Sequence, residues 1–250
     1  MLDKIDIEEI KKIAIQAGSV IMEIYAQDFT VEYKKDKSPL TQADLKANEF
    51  ICNTLKKLYP TIPIMSEENK QTSYYERKNW DYYWCVDPID GTKEFIQKND
   101  EFTVNIGLIH KNSPILGVVY APALDELYWA DGQNSYKNGQ KLPLNTNVNP
   151  HEKLFVVASK SHLSQETQTF VDSLDTKHVI QISKGSSLKL CMVAEGIADI
   201  YPRLAPTMEW DTAAADSIVR CAGKMTYQFD SNEPVIYNKE DLLNPWFVVK

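Results

Sequence analysis

The sequence is poor in cysteine and contains no long hydrophobic run. Its four cysteines, Cys52, Cys85, Cys191 and Cys221, stand far apart without a CxxC pair, so neither a disulfide framework nor a zinc knuckle is expected. No apolar run approaches membrane-spanning length, and the acidic, amphipathic N-terminus lacks the basic-then-apolar order of a signal peptide. We therefore expect a soluble, reduced, cytoplasmic protein.

Positive charge is also scarce. The chain has 27 Lys and Arg against 35 Asp and Glu, a formal net charge of −8, and it should repel bulk nucleic acid and anionic membrane surfaces. The rest of the composition is that of a globular protein, with 43% hydrophobic residues, and 250 residues suffice to bury a core without staples.

The first part of the chain has helical periodicity. Apolar residues recur at spacings of three and four along residues 10–24 and again along 41–59, which predicts two amphipathic helices. Asp6 with Glu9 forms a capping pair before the first helix. The second helix is predicted to carry Leu45, Cys52, Leu55 and Tyr59 on its apolar face.

Strand periodicity follows. β-rich runs begin at Phe102, Pro114 and Asp125, and Asn138–Gly139 marks a hairpin turn, which together predict an antiparallel meander. After the polar stretch 145–153, strand and helix patterns alternate, which predicts a mostly parallel, helix-covered sheet. We place a boundary near residue 148, between an α+β half (1–148) and an α/β half (149–250).

Two aspartates are predicted at the end of a strand. Asp87 follows the apolar run 82–86, Pro88 stiffens the backbone after it, and Asp90 and Gly91 come next. Carboxylates beside backbone amides suit hard cations and a phosphate docked at a helix N-terminus. A plain Asx turn accounts for the same residues, so the motif alone leaves both interpretations open.

Other candidate residues have structural explanations too. Glu67 follows a short predicted strand, where glutamates are usually solvated. Thr41 and Asp44 can cap the second helix, and Asp211 can cap a later one. Capping does not explain the alanines that follow Asp211, which would leave the helix amides open to a closely approaching ligand.

Taken together, these pieces resemble the inositol monophosphatase superfamily of magnesium-dependent, lithium-sensitive phosphatases. Both of its signature boxes, D-P-[ILV]-D-G-T and W-D-x-A-A, are present, starting at Asp87 and Trp210. SPLTQAD, MSEE, EFTVNIGLI, PILGVVYAP and GSSLKLCMVAEG occur in the expected order over nearly the whole length. KEF after DGT, and GSSLK, favour the branch of 3′(2′),5′-bisphosphate nucleotidases. The resemblance implies an α/β fold layered as an α-β-α-β-α sandwich, of the inositol monophosphatase/fructose-1,6-bisphosphatase type.

The resemblance also implies a metal site in the cleft between the halves. One Mg²⁺ would be held by Glu67, Asp87 and the carbonyl of Ile89, and a second by Asp87, Asp90 and Asp211, with two or three ions in all. The first half would thus supply most metal ligands, and the second half would complete the site and bind the nucleotide.

Further roles follow from the same resemblance. Gly91 and Thr92 would present amides to the scissile phosphate, and the Thr92 hydroxyl with Asp44 would orient the attacking water, with Glu67 as the third catalytic residue. The implied substrate contacts beyond these are Ser159, His162, Gly185, Lys189 and Asp211. His162 can equally be an ordinary loop histidine, and the role of Lys189 rests on the resemblance alone.

The expected reaction is hydrolysis of the 3′-phosphate of 3′-phosphoadenosine 5′-phosphate, giving AMP and phosphate by direct in-line attack of water. Mg²⁺ should be required and Li⁺ should inhibit. The alternatives are an inositol or sugar phosphate phosphatase with the same metal site, and a non-catalytic metal-dependent binder of phosphorylated ligands. The expected partner is a small phosphorylated nucleotide; the oligomeric state and peripheral association with the inner face of the cell membrane stay open.

Overall fold

The computed structural model describes residues 4–34, 39–144, 153–159, 164–174 and 178–250. The helices are α1 (Ile7–Tyr25), α2 (Gln42–Leu58), α3 (Tyr74–Arg77), α4 (Thr92–Ile96), α5 (Gln165–Asp172), α6 (Leu188–Glu195) and α7 (Glu209–Cys221). The strands of the first half are β1 (Val31–Tyr33), β2 (Pro39–Thr41), β3 (Ile64–Ser66), β4 (Tyr82–Asp90), β5 (Thr103–His110), β6 (Ser113–Ala121), β7 (Glu126–Ala130), β8 (Ser135–Lys137) and β9 (Gln140–Lys141). Those of the second half are β10 (Leu154–Ser159), β11 (Val179–Lys184), β12 (Tyr201–Arg203), β13 (Thr226–Gln228) and β14 (Phe247–Val249).

A seven-stranded sheet in the order β3–β4–β5–β6–β7–β8–β9 lies at the centre of the fold. β3 runs parallel to β4, and every later pair is antiparallel, which confirms the predicted meander. Asn138 and Gly139 both have positive φ, 46° and 82°, as the two-residue turn between β8 and β9 requires.

Helices α1 and α2 cover one face of this sheet. Asp6 caps α1 as predicted by accepting from the Glu8 amide, but Glu9 pairs with Lys12 instead of completing the cap. In α2 the predicted apolar face was right for Leu55, which is fully buried, but wrong for Leu45, which is 47% exposed; Asp44 belongs to the buried face instead. A count of apolar residues misplaces the buried face of α2, because the buried face includes the polar residue Asp44.

Helix α7 packs on the other face, where small residues let helix and sheet approach closely. Ala213 and Ala214 are buried against Gly107 and Gly117, and a Cβ on Gly117 would lie 2.2 Å from the Ala214 carbonyl oxygen. The alanines therefore serve packing, which corrects the interpretation that they leave amides open to a ligand.

The strands of the second half differ from the prediction in direction. β10 and β11 are parallel, and Val156 forms a parallel bridge to Ile200, but β12, β14 and β13 form an antiparallel sheet. These small sheets lie beyond α6 and α7, with α5 outside them, so the α-β-α-β-α layering is confirmed. The predicted boundary near residue 148 lies outside the described residues and stays a prediction.

Among the helices in the described parts of the chain, none combines the length and apolarity needed to cross a bilayer. The expected cytoplasmic location stays a prediction.

Candidate metal centre

The end of strand β4 holds two of the predicted carboxylates. Asp87 lies opposite Asn105 and Asp90 opposite Thr103, so β4 has an extra residue between these pairs. Such a bulge bends the strand, and Pro88, which lacks an N–H, fits there. The Ile89 amide donates to Asp87 Oδ1 at 3.0 Å. Gly91 follows with φ of 92°, which glycine adopts without strain, and leads into α4.

The alternation of side chains along β4 directs Asp87 toward helix α7. Trp84 and Val86 pack in the core under α1 and α2, whereas Tyr83 and Cys85 pack in the core under α6 and α7. Asp87 continues the second series and is only 1% exposed. A strand thus places a carboxylate inside the molecule, facing the second half of the chain.

Asp211 comes to the same place from the first turn of α7. Its Oδ2 accepts from the Met208 amide at 2.8 Å, so the capping prediction is confirmed. Its carboxylate also meets those of Asp87 and Asp90, with one oxygen from each within 4.8 Å of the others. The structural and the metal-binding interpretations of Asp211 are therefore compatible.

The electrostatics of this cluster favour a cation. Burial, together with Glu67, Asp90 and Asp211, raises the pKa of Asp87 well above its usual range. Burial and then Asp90 raise the pKa of Asp211 to about 8. In the described part of the chain, no basic nitrogen lies within 4.0 Å of the three carboxylates. An all-oxygen donor set under mutual repulsion fits a hard divalent cation such as Mg²⁺.

Glu67 lies next to the cluster, directly after β3. Its amide donates to the Val86 carbonyl at 3.1 Å, which continues the parallel pairing toward Asp87. Its carboxylate contacts Lys34 Nζ at 2.8 Å, and the same ammonium contacts Glu68 at 2.5 Å. Burial opposes the charge of Lys34, but the two glutamates raise its pKa. No motif marks Lys34 in the sequence, because its contact with the glutamates depends on the fold.

Asp44 and Thr92 form a connected pair beside the cluster. Thr92 Oγ1 lies 3.3 Å from Asp44 Oδ1 and 3.3 Å from the Ile89 carbonyl. The Thr41 amide and hydroxyl donate to Asp44 Oδ2 at 2.8 and 2.6 Å. Burial raises the pKa of Asp44, although the Thr41 bonds oppose the shift. The buried carboxylate thus caps α2 with one oxygen and meets Thr92 with the other.

A cavity of about 210 Å³ adjoins these groups. Lys189, Arg203 and Ser186 line it together with Glu67, Asp90, Gly91, Thr92 and Asp211. Lys189 Nζ donates to the Ser186 carbonyl at 2.6 Å, and burial lowers the pKa of the ammonium to about 8 while Asp90 opposes that shift. Arg203 and Ser186 were not among the predicted site residues: Ser186 is marked only by its place in GSSLK, and Arg203 lies in no quoted motif.

The remaining predicted contacts have different surroundings. The Gly185 amide donates to Glu101 Oε2 at 2.8 Å, and a Cβ there would lie 2.7 Å from the Glu101 carbonyl oxygen, so close packing requires this glycine. Ser159 ends β10, but its side chain and all of His162 lie outside what the structure describes. The substrate roles of Gly185, Ser159 and His162 stay predictions.

Comparison with known proteins identifies the family. A family model described as the inositol monophosphatase family matches residues 2–245. The chain belongs to the inositol monophosphatase family.

Relatives within the inositol monophosphatase family cover nearly the whole chain. A protein of Salmonella typhimurium named 3′(2′),5′-bisphosphate nucleotidase CysQ is 41% identical over 245 residues, or 97% of this chain and 98% of the relative. CysQ from Bacteroides thetaiotaomicron has a solved structure with a TM-score of 0.85 and 46% identity, covering 95% of this chain and 94% of its own. An IMPase from Thermotoga maritima gives a TM-score of 0.77 at 25% identity, covering 98% and 91%. The predictions of the family and of its fold are confirmed.

Proposed function

We propose that the chain is a Mg²⁺-dependent, Li⁺-sensitive 3′(2′),5′-bisphosphate nucleotidase that hydrolyses the 3′-phosphate of 3′-phosphoadenosine 5′-phosphate to give AMP and phosphate. The observation that carries this proposal is the cluster of Asp87, Asp90 and Asp211 beside a cavity that also contains basic side chains. The names of the similar proteins support the nucleotide substrate.

The proposed site would bind two divalent ions, with the three clustered aspartates as the core of the donor set. Glu67, Asp87 and the Ile89 carbonyl would hold one, while Asp87, Asp90 and Asp211 would hold the other. When bound, such ions neutralise the phosphate, lower the pKa of an attacking water and stabilise the leaving oxygen. Each of the three clustered aspartates accepts a hydrogen bond from the protein at one carboxylate oxygen. These bonds fix the orientation of the carboxylate groups, and the groups can still bind an ion.

Thr92 and Asp44 are the groups suited to handle the proton of the water. The Thr92 hydroxyl can orient the water and donate its own proton toward Asp44 Oδ1, 3.3 Å away. Asp44 has a raised pKa, so its carboxylate is a better proton acceptor than an exposed aspartate. The Thr41 bonds to the other oxygen keep the acceptor in place.

The cavity walls supply positive charge for a substrate with two phosphates. Lys189 and Arg203 both line the cavity, and Arg203 Nε is buried without a hydrogen-bond partner in the described part of the structure. These two cations offset the local excess of acids. We also propose the division of labour implied by the chain order, in which residues 1–148 supply most metal ligands and residues 149–250 supply Asp211 and Lys189.

The test is phosphate release from a substrate panel. With Mg²⁺, turnover of 3′-phosphoadenosine 5′-phosphate should exceed that of inositol 1-phosphate by about tenfold or more, and chelation or Li⁺ should suppress it. A preference for inositol 1-phosphate would replace the nucleotidase proposal by the inositol phosphatase alternative. Binding of the nucleotide without phosphate release would support a non-catalytic binder.

A further inference from the structure

Ser187 and Asn105 form a buried hydrogen-bond chain that ends on Asp90. Both residues are only 1% exposed. Asn105 Nδ2 donates to Ser187 Oγ at 2.6 Å, and Ser187 Oγ lies 2.5 Å from Asp90 Oδ2 and 3.0 Å from the Asp211 carbonyl oxygen. The serine thus contacts two of the residues proposed to bind metal, one from each half of the chain.

The direction of these bonds follows from the chemistry of the groups. A serine hydroxyl has one proton and two acceptor sites, and the Asn105 amide occupies one of the acceptor sites. The proton is then free for an acceptor, and the carboxylate at 2.5 Å is both closer and more basic than the carbonyl at 3.0 Å. Ser187 therefore donates to Asp90 Oδ2.

Neither residue has a convincing structural reason to be polar. Ser187 occupies the N-cap position of α6, where a serine usually accepts from a helix amide, but its side chain makes no capping bond. Asn105 lies in a strand that is buried over almost its whole length, and its Oδ1 has no hydrogen-bond partner among the described residues. A buried polar group without a partner costs free energy, so the donation to Ser187 is the evident use of this asparagine.

We propose that Ser187 is a positioning residue that fixes the Asp90 carboxylate for binding a divalent cation, and that Asn105 in turn fixes the hydroxyl of Ser187. The inference rests on the proposed function, because it takes Asp90 as a metal ligand. Groups that hydrogen-bond a metal ligand orient it, and their loss typically weakens metal binding by about 10 to 100-fold.

The experiment is a calorimetric titration of Mg²⁺ into the metal-free protein, with the melting temperature of each metal-free variant measured alongside. Ser187→Ala should bind Mg²⁺ about 10 to 100-fold more weakly. Asn105→Ala should show a smaller loss, and the double variant should bind no more weakly than Ser187→Ala, because both act through one hydroxyl. Ser135→Ala is the matched control, since Ser135 is fully buried and its hydroxyl has no partner among the described residues.

The outcomes separate the two proposals. If the unaltered protein binds no Mg²⁺, the proposed function fails and this inference fails with it. If it binds Mg²⁺ but Ser187→Ala binds equally well, only the positioning role is overturned, whatever the melting temperature. If Ser187→Ala does not fold, Ser187→Cys keeps the shape with a weak donor, and its Mg²⁺ affinity must fall for the inference to stand.

Discussion

Six buried or partly buried acids of this protein form two groups that differ in how their charge is balanced. In the first group each carboxylate has a protein cation nearby: Glu209 with Lys239 at 2.6 Å, Asp216 with Arg220 at 2.8 Å and Glu195 with Lys137 at 3.1 Å. In the second group, Asp87, Asp90 and Asp211 gather within 4.8 Å, and in the described residues no basic nitrogen lies within 4.0 Å of them.

The two groups are expected to have different roles: the paired acids stabilise the fold, and the clustered acids bind metal. A buried ion pair carries its own counter-charge, so its loss affects stability. Clustered carboxylates without a cation in direct contact leave much of the counter-charge to be supplied from solution, so their loss should affect metal binding and activity. Glu67 stands between the groups, because it is a proposed ligand that already contacts Lys34.

The largest expected effect separates the two groups by mutation. Asp87→Asn should lower phosphate release on the order of 10³-fold, because one shared metal ligand is lost, while the metal-free protein becomes more stable through reduced repulsion. Glu195→Gln should lower the free energy of unfolding by about 3 kcal/mol, since it breaks a buried pair, and should leave Mg²⁺ affinity unchanged. Phosphate release and thermal unfolding of both variants check this. A stability loss without an activity loss in Asp87→Asn, or weaker Mg²⁺ binding without a stability loss in Glu195→Gln, would contradict the division into two groups.

The next prediction concerns the pH dependence of stability. The pKa of Asp211 is raised to about 8, so between about pH 4 and about pH 8 the folded metal-free protein binds more protons than the unfolded chain. Its free energy of unfolding should therefore fall as the pH rises through this range. Mg²⁺ takes over the role of the protons, so it should raise the melting temperature more at about pH 8 than at about pH 5.

Melting curves with Mg²⁺ and with chelator at both pH values measure this. Asp211→Asn provides the control, because the variant should show a smaller difference between the two pH values. An equal Mg²⁺ effect at both values in the unaltered protein would count against a protonated cluster in the metal-free state.

The charge of Lys189 is expected to help bind a phosphate of the substrate. Its pKa is lowered to about 8, so its charge is present below that pH and is lost above it. The KM for the bisphosphate nucleotide should rise above about pH 8, and Lys189→Gln should raise it about tenfold at neutral pH. Lys189→Arg keeps the charge, so its KM should stay flat over this range. A KM profile of the unaltered protein that is equally flat would argue against a contact between Lys189 and a phosphate.

The smallest expected effect concerns Lys34. Lys34→Gln removes a cation that competes for Glu67, so Mg²⁺ should bind about threefold more tightly in calorimetry without substrate. Weaker binding would mean that the ammonium supports the metal site instead of competing with it.

Local motifs predicted much of the fold and site. The strand end at Asp87–Asp90 and the glycine turn after it are encoded within a few residues, and so is the cap at Thr41 with Asp44. The predictions failed where the outcome depends on distant parts of the chain. The packing role of Ala213 and Ala214 depends on glycines in β5 and β6, and β14 is too short to show a period.

The same reason explains the site residues that were missed. Lys34 and Arg203 lie in no quoted motif, and Ser187 lies in GSSLK without being singled out there, because each gains its role from a contact made across the fold. Asp211 was found only because its surroundings match a family motif, and its meeting with Asp87 becomes visible only in the structure.

The location of bound metal tests whether the three clustered aspartates form the metal site. Crystals of the protein grown with Mn²⁺, an anomalous scatterer that prefers the same oxygen ligands, should show anomalous density in contact with Asp87, Asp90 and Asp211. No such density should appear at Glu209, Asp216 or Glu195, which have their own cations. Anomalous density absent from the three aspartates in a protein that is active with Mn²⁺ would contradict this metal site.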